Sequence, residues 1–480
     1  MNTIRNSKTA RIVIIGAGPS GIAAATKLIK SGFENVLVIE AESRVGGRIY
    51  TVDFADNVVD LGAQWCHGEK KNVVYELVKD LNLLETTGTI YDDYVCIRSN
   101  REVLSDDVAD VLKTIAFETI PERQKGLLKY EGSLGSYLVE TYWRELEKSP
   151  NIDRTIAHEF LDNMKKFENS VEASDTVFEV SGQGHLDYWI CEGELLLNWK
   201  DKGFHTLLKL LMKSKGNETN DLGILNKRVI LNKKIEHIAW QKGDEAIIKC
   251  VDGQLIEADH IICTVSLGVL KENYKKMFTP LLPPAKCRAI EGLKLGTVNK
   301  FFMEFKVPFG PPDWTGFMFL WTQEDLDELR NTDYFWLESV FGFFRVSYQP
   351  RILGGWIIGP HGRHMETLTV SEVQKAILWL FRKFFTFPIP EPINFMRTQW
   401  YSNPNFRGSY TFRSMYTDEL RTGAWDLASP LTNGAGKPVL QFAGEATHTH
   451  YYSTVHGAVE SGWREAERLI AFYQSRPSQL

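Results

Sequence analysis

The sequence has few cysteines, no long apolar run and no excess of basic charge. Its six cysteines are far apart and form no CxxC pair, which excludes a dense disulfide framework and zinc-finger spacing. No uncharged stretch approaches the roughly 20 residues of a membrane span. The formal net charge of -6 lacks the basic excess of nucleic-acid binders. We therefore expect a soluble chain without a membrane span, bound metal or nucleic-acid partner.

The compartment is predicted from the two ends of the chain. The polar start MNTIRNSKTA is followed by an apolar run too short for a secretory signal. Together with the sparse cysteines, this favours the cytoplasm. The last three residues, Ser478, Gln479 and Leu480, loosely match a peroxisomal address, so the peroxisome stays open as an alternative.

The order of segments predicts two interleaved domains. With 480 residues, 43% of them hydrophobic, the chain can bury more than one core. A β-α-β pattern covers residues 11–41, and the strand PVLQFAGEA with the helical VHGAVESGWREAERLIAFY closes the chain. Between them, residues 105–215 are mostly helical, and residues 228–250 alternate like antiparallel strands. The two chain ends are expected to belong to one α/β domain.

The clearest motif is a dinucleotide-binding turn. Gly16, Gly18 and Gly21 follow a strand and open a helix, as G-x-G-x-x-G requires. The first allows a tight turn, the second lets the backbone approach a pyrophosphate, and the third allows close helix packing. Glu40 stands about 20 residues further on, where a carboxylate binds ribose hydroxyls. This element alone leaves NAD and FAD open.

Two further segments favour FAD. EAESRVGGRIYT places Gly47 and Arg48 beyond the ribose acid, and FAGEATHTHYYSTVHGAVESG lies near the other end of the chain. Together they resemble the FAD signature of the flavin-containing amine oxidases, and the similarity covers essentially the whole chain. It implies a glutathione-reductase-like α/β FAD domain, built from residues 1–85, 216–292 and 415–480. An α+β substrate domain with a mixed sheet and helices would take residues 86–215 and 293–414.

The resemblance assigns cofactor roles along the chain. Glu40 would bind the adenosine ribose, Arg48 the pyrophosphate, and the backbone of Val229 the adenine. The full set implied for FAD is Gly16, Gly18, Ser20, Gly21, Glu40, Gly47, Arg48, Gln64, Trp65, Val229, Trp400, Glu445, Thr454 and Val455. Monoamine oxidases have a flavin-linked cysteine where Ser409 stands here, so the FAD is expected to be noncovalent.

The resemblance also implies the reacting groups. Lys300, in LKLGTVNKFFMEF, matches the lysine that holds a water against the flavin in this family. The sequence Trp65-Cys66-His67-Gly68 matches a turn of the animal polyamine oxidases, which makes His67 a substrate contact. The implied catalytic residues are Lys300 and His67, and the implied substrate pocket comprises His67, Trp65, Glu192, Glu194, Tyr410 and Thr454.

The acidic part of this pocket is the least specified. Distal ammonium groups of a polyamine need carboxylates, because an unpaired cation is costly to desolvate. Glu192 and Glu194 are the candidates, with Asp187 nearby, but their spacing departs from the relatives and Asn198 stands where an aspartate is expected. Surface acids with no ligand remain the alternative interpretation.

The implied activity is FAD-dependent oxidation of spermine, spermidine or their N1-acetyl derivatives. Hydride transfer to the flavin would give an imine, water would hydrolyse it to an aminoaldehyde and an amine, and O2 would be reduced to hydrogen peroxide. The partners are then a polyamine and molecular oxygen, with a monomer or weak dimer as the assembly. An L-amino-acid oxidase and a lysine-specific demethylase are the alternatives. Which polyamine is preferred, and which C-N bond is cut, stay open.

Overall fold

A computed structural model describes residues 6–87, 93–122, 124–215, 221–242 and 245–475. Its strands, in chain order, are β1 (Ile12–Ile15), β2 (Val36–Ile39), β3 (Thr51–Phe54), β4 (Asn57–Asp60), β5 (Trp65–Cys66), β6 (Glu85–Thr86), β7 (Val95–Arg98), β8 (Leu197–Asn198), β9 (Val229–Ile230), β10 (Ile235–Lys242), β11 (Glu245–Cys250), β12 (Leu255–Ala258), β13 (His260–Cys263), β14 (Phe278–Thr279), β15 (Lys294–Leu295), β16 (Val298–Glu304), β17 (Gly316–Leu320), β18 (Val340–Val346), β19 (Gln349–Ile358), β20 (Asn394–Arg397), β21 (Thr411–Phe412), β22 (Leu431–Thr432) and β23 (Pro438–Phe442).

The α-helices follow the same order. They are α1 (Pro19–Lys30), α2 (Val73–Val78), α3 (Asp106–Lys113), α4 (Ile120–Glu122), α5 (Leu134–Leu146), α6 (Arg154–Glu172), α7 (Gly182–His185), α8 (His205–Met212), α9 (Leu267–Met277), α10 (Pro284–Gly292), α11 (Gln323–Arg330), α12 (Gly359–Met365), α13 (Val370–Phe384), α14 (Met415–Glu419), α15 (Ala424–Ala428) and α16 (Val455–Gln474). Within the described residues, no helix is long and apolar enough to cross a membrane.

The first large sheet combines both ends of the chain with its middle. Its strand order is β22-β23-β13-β1-β2-β9, and all pairs except β22 with β23 are parallel. The central strand β1 is at most 4% exposed. Helices including α1 and α16 cover one face of it and the strands β10 and β11 cover the other, which favours a continuous β-branched run. Helices α1 and α16 pack against each other beside it.

The second large sheet is mostly antiparallel and has an aromatic core. Its strand order is β20-β16-β19-β18-β17-β7, with β7 parallel to β17. Helix α13 begins with a capping box, in which Thr369 and Glu372 exchange hydrogen bonds, and it packs Phe381 and Phe384 onto the sheet. Met164 of α6 belongs to a separate hydrophobic cluster with Trp356 of β19.

This mixed α/β architecture confirms the predicted fold class. The strands of the first sheet all fall inside residues 1–85, 216–292 and 415–480, and those of the second sheet inside 86–215 and 293–414. A small sheet, β12-β11-β10-β14, extends the first domain. The domain boundaries themselves stay a proposal.

Candidate functional site

A cavity of about 1910 Å³ lies between the two sheets. Its walls include the β1–α1 turn and the start of α16 on one side, and Lys300 of β16 with Trp356 of β19 on the other. Pockets for drug-sized ligands measure about 300–1,000 Å³. This cavity therefore has room for an extended cofactor and a second molecule together.

The glycine turn shapes the cavity floor. Gly16 has φ of 105°, and a Cβ on Gly21 would lie 1.9 Å from the Gly16 carbonyl oxygen, so neither position accepts a side chain. A Cβ on Gly18 would meet only the Gly47 Cα, at 3.9 Å, and would point into otherwise open space. Helix α1 begins directly after Gly18 without a side-chain cap. Its first N-H groups and Ser20 are therefore placed for an anion in the cavity.

Glu40 lies at the end of β2 and is 7% exposed. Its carboxylate accepts hydrogen bonds from the Ala17 and Glu42 amides, both at 2.7 Å, which fix its orientation toward the cavity. Burial raises the pKa of this carboxyl group. A pair of hydroxyl groups would supply donors to such a carboxylate.

The structure corrects the expectation for Val229. This residue pairs with Val38 at the edge of the first sheet and does not line the cavity. The chain then crosses the carboxyl end of β2, where the Lys233 amide donates to the Glu40 carbonyl, and Ile235 lines the cavity instead. The sequence showed alternation in this region but not which of its strands would end at the cavity.

Only one nitrogen of the Arg48 guanidinium forms hydrogen bonds to other described residues. Its Nη1 donates to the Ser409 carbonyl at 2.6 Å and to Glu445 Oε1 at 3.0 Å. Glu445 also accepts from the Thr411 hydroxyl and the Ser453 amide, which anchors it. Among the described residues, Nε and Nη2 of Arg48 have no partner. The guanidinium therefore remains available to a phosphate.

Thr454 is the N-cap of α16. Its hydroxyl accepts from the Gly457 amide at 3.0 Å and donates to the Tyr451 carbonyl at 2.7 Å. The side chain is thus occupied by capping, while the backbone at Thr454 and Val455 lines the cavity. The partial positive charge of this helix start would stabilise the negative charge of a reduced flavin bound beside it.

Lys300 lies in a cage of neutral oxygen atoms. Its Nζ donates to the carbonyls of Asp60 and Gly62, at 3.0 and 2.7 Å, and to Gln64 Oε1 at 2.8 Å. Burial lowers the pKa of Lys300, and the nearby Asp60 carboxylate opposes that shift only in part. All three protons of the ammonium form are used. The three bonding directions of Nζ besides Cε all end on these oxygens, so a water can reach Nζ, as acceptor or as donor, only if the Gln64 side chain moves aside.

Aromatic side chains surround this lysine. Lys300 Nζ lies 6.0 Å from the Trp65 ring, which packs against Phe344 and Trp356. The indole Nε1 of Trp65 is buried and has no acceptor among the described residues. Trp400 donates to the Leu61 carbonyl at 3.3 Å. The structure thus brings Trp65, Trp400, Gln64 and Lys300 into one cavity, and adds Trp356, which the sequence did not single out.

His67 lies at the cavity wall, partly buried. Its Nδ1 is 3.0 Å from the Leu195 carbonyl, which can only accept, so this nitrogen carries the proton. Burial lowers the pKa of His67. The ring is therefore neutral near pH 7, with Nε2 unprotonated and able to accept a hydrogen bond from a ligand.

The structure does not support one of the two predicted acids. Glu192 forms an exposed ion pair with Lys70, with a distance of 2.7 Å, and does not line the cavity. Glu194 does line the cavity, whereas Asp187 does not. Two carboxylates that the sequence did not single out, Glu168 and Glu172 on α6, also line it.

The family of this chain follows from a comparison with known proteins. The family model described as flavin containing amine oxidoreductase matches residues 19–470. The chain belongs to this family. The amine oxidoreductase is 30% identical to the peroxisomal N(1)-acetyl-spermine/spermidine oxidase of Homo sapiens, over 98% of this chain and 96% of that one. It is 27% identical to the probable polyamine oxidase 5 of Arabidopsis thaliana, over 98% and 99% of the two chains.

Solved structures show the same fold. A putrescine oxidase double mutant superposes with a TM-score of 0.70 at 19% identity, over 96% of this chain and 99% of that one. The wild-type putrescine oxidase bound to putrescine gives a TM-score of 0.69 at 20% identity, with the same coverage.

The cofactor of this amine oxidoreductase is FAD. The residues of the cavity fit it: the turn at Gly18 admits a close phosphate, Glu40 presents a fixed carboxylate, and Arg48 keeps two unpaired nitrogens. At the position of the flavin-linked cysteine in monoamine oxidases, the Ser409 hydroxyl bonds to the amide and carbonyl of Val298. This side chain has a structural role and offers no thiol, which is consistent with noncovalent FAD.

Proposed function

We propose that this amine oxidoreductase is an FAD-dependent polyamine oxidase acting on spermine, spermidine or their N1-acetyl derivatives. One observation carries the proposal. The cavity that contains the residues fitted to FAD is also lined by the caged Lys300, the neutral His67 and the aromatic ring of Trp65. The names of the mammalian and plant relatives support a polyamine as the substrate.

When bound, FAD accepts a hydride from the carbon beside the amine nitrogen and passes the electrons to O2, giving hydrogen peroxide. The chain has to hold that nitrogen neutral, keep the pocket dry and select one C-N bond. Trp65, Trp356 and Trp400 form apolar walls that exclude bulk water. The roles of His67 and Lys300 follow from their protonation.

His67 would orient the substrate. Its Nδ1 is committed to the Leu195 carbonyl, so Nε2 can accept only from a ligand N-H. An amine held in this way presents one hydrogen to the imidazole and keeps its lone pair free to form the C=N bond as the hydride leaves the neighbouring carbon. A protonated imidazole would instead repel the cationic substrate.

Lys300 would hold the water that hydrolyses the imine. Its lowered pKa allows a neutral amine whose lone pair accepts a water proton once the Gln64 side chain moves aside, while the Asp60 and Gly62 carbonyls keep Nζ in position. Attack of this water on the imine carbon breaks the C-N bond and gives the aminoaldehyde and the released amine.

The test is hydrogen peroxide release by the yellow holoenzyme with spermine, spermidine and N1-acetylspermine. Turnover of at least one of them, with a matching aminoaldehyde, is expected. A flavin-loaded preparation that oxidises none would refute the proposal. An L-amino-acid oxidase needs an arginine for the substrate carboxylate, but of the two arginines among the described cavity residues, Arg48 is assigned to the FAD phosphate and Arg407 is paired with Glu272.

Assembly and compartment belong to the same proposal. We assign a monomer or weak dimer, which sedimentation at several concentrations tests. For the compartment, the sparse cysteines favour the cytoplasm, while the names of two mammalian relatives support the peroxisome. The tripeptide Ser478-Gln479-Leu480 lies outside the described residues. Imaging an N-terminal fluorescent fusion with and without this tripeptide decides between the two.

A further inference from the structure

Asp60 ends β4 directly before residues 61–64 of the cavity wall, but it does not itself line the cavity. It is only 2% exposed. Its backbone carbonyl accepts a hydrogen bond from Lys300 Nζ at 3.0 Å and so forms one side of the oxygen cage. The chemistry proposed for Lys300 uses this carbonyl and leaves the buried carboxylate of the same residue without a role.

Neutral donors hold the Asp60 carboxylate in place. Its Oδ1 accepts from the Thr51 hydroxyl, and the Phe204 amide donates to Oδ1 at 3.1 Å and to Oδ2 at 3.2 Å. Phe204 is the N-cap of α8, whose partial positive charge favours an anion. The Thr51 hydroxyl accepts in turn from the His205 amide at 3.1 Å. These donors all stabilise the ionised form of Asp60.

Asp60 and Lys300 are two buried groups of opposite charge. Lys300 is 9% exposed, and burial opposes both charges: it lowers the pKa of Lys300 and raises the pKa of Asp60. Each charge offsets part of the shift of the other, because charges interact more strongly in a protein interior than in water. The titratable groups that lie further out are Tyr348 near Asp60, Glu85 near Tyr348, and His205 at the start of α8.

The sign of this coupling is fixed by the charges. An ionised Asp60 favours the ammonium form of Lys300. Without that negative charge, burial alone would act on Lys300, and the ammonium would lose its proton at a lower pH. An opposite charge within about 4–6 Å typically moves a pKa by about 1–3 units. The carboxylate is therefore able to decide whether Lys300 is an ammonium or an amine near neutral pH.

We propose that Asp60 is a positioning residue that sets the pH at which Lys300 becomes a neutral amine. The inference rests on the proposed function, in which the neutral amine holds the reacting water, and adds the group that controls its charge. Asp60 acts through space, and its carboxylate contacts neither substrate nor cofactor, since the residue does not line the cavity. The proton that Lys300 loses passes to solvent.

The first experiment follows reoxidation of the photoreduced holoenzyme by O2 in a stopped-flow instrument, without any amine, across neutral and alkaline pH. The difference between the wild type and Lys300→Met defines the part of the rate that depends on Lys300, and the midpoint of its change with pH reports the loss of the proton. In Asp60→Asn this midpoint should move to lower pH by about 1–3 units. Asp53→Asn is the matched control, because it removes an exposed carboxylate from the same β3–β4 hairpin and should keep the wild-type midpoint.

A double variant separates control of the charge from a merely structural role. If Asp60 acts through the charge of Lys300, its replacement has nothing to act on once Lys300 is methionine. The pH profile of the double variant Asp60→Asn/Lys300→Met should therefore match that of Lys300→Met alone. Equal FAD content and melting temperature in the compared variants show that the fold is kept.

A second pair of variants keeps the test independent of how well Asp60→Asn folds. Thr51→Val removes the hydroxyl that donates to the Asp60 carboxylate. The ionised form of Asp60 is then less favoured, so the midpoint should move in the same direction as in Asp60→Asn, by a smaller amount. Thr51→Ser keeps the hydroxyl and should keep the wild-type midpoint.

Three results would overturn the inference. The midpoint could be unchanged in Asp60→Asn or, where that variant loses FAD, in Thr51→Val; it could move to higher pH; or the double variant could differ in pH profile from Lys300→Met. The measurements contain no amine, so they do not depend on the substrate. If the wild type oxidises no polyamine, the proposed function fails; if it oxidises one and the midpoint of Asp60→Asn equals that of the wild type, only this inference fails.

Discussion

Replacing Lys300 by methionine separates its catalytic role from its structural one. Methionine keeps the length and apolar stem of the side chain, and the backbone hydrogen bond from the Lys300 amide to Thr398 is untouched. The substitution removes the three hydrogen bonds from Nζ to the oxygen cage. It also removes the only group in this cage that can hold a water through a basic nitrogen.

The effect on stability should be small because two terms oppose each other. Each hydrogen bond from a charged group contributes about 1.5–3 kcal/mol. Keeping an ammonium at 9% exposure costs several kcal/mol of desolvation, which the methionine does not incur. The chemical step should lose about 10²- to 10⁴-fold, the usual contribution of a positioned acid or base. This corresponds to about 3–5 kcal/mol of transition-state stabilisation.

The assay is stopped-flow spectroscopy of the bound FAD. The enzyme is reduced anaerobically with the amine found in the substrate panel, then mixed with oxygenated buffer, and the return of the oxidised absorbance is followed. Lys300→Met should bind FAD normally and be slow in reoxidation or turnover. Lys306→Met is the control, because this exposed lysine lies two residues after the end of the same strand. Wild-type rates in Lys300→Met would refute the assignment of Lys300.

Three further predictions address the other parts of the cavity. Burial lowers the pKa of His67, so the wild-type KM should rise only when the pH falls below that pKa and the imidazole becomes a cation. His67→Ala should raise KM at all pH values with FAD still bound. His67→Gln keeps an acceptor but cannot be protonated, so its steady-state KM should no longer rise at low pH. Gly18→Ala should leave the melting temperature of the apoprotein unchanged, because its Cβ would meet only the Gly47 Cα at 3.9 Å, yet weaken FAD binding by about 1–3 kcal/mol in a fluorescence titration. Acid precipitation should leave the flavin in the supernatant, since Ser409 has no thiol; colour in the pellet would instead indicate a bond to Cys191, a cysteine of the cavity wall.

Local pattern predicted the cofactor half of the site well. The turn from Gly16 to Gly21 and the acid Glu40 depend on backbone conformation and short spacing, which a strand-turn-helix sequence expresses directly. Val229 was assigned to the adenine by the resemblance, but it pairs with Val38 at the edge of the sheet and does not line the cavity. Ile235 lines the cavity because the chain crosses the end of β2 at Lys233, two residues earlier, and this crossing exists only in the folded sheet.

The acidic part of the pocket could not be predicted in the same way. Glu168 and Glu172 are four residues apart, which on a helix places them on one face, but a charged pair on a helix usually faces water. Only the packing of α6 beside the second sheet turns that face toward the cavity. Glu192, one of the two candidates by position, lies on a loop where Lys70 pairs with it at the surface.

The strand order of the first sheet has a consequence for biosynthesis. Strand β1 is flanked by β2 and by β13, about 250 residues later, and β13 pairs in turn with β23, which begins at Pro438. Helix α1 packs on α16, which begins at Val455. While the ribosome is still translating residues 264–437, the nascent chain has the glycine turn but not the strand and helix that enclose it. Contacts of such long sequence separation fold slowly. We therefore expect FAD to be captured only after translation of α16, and nascent chains to depend on chaperones until then.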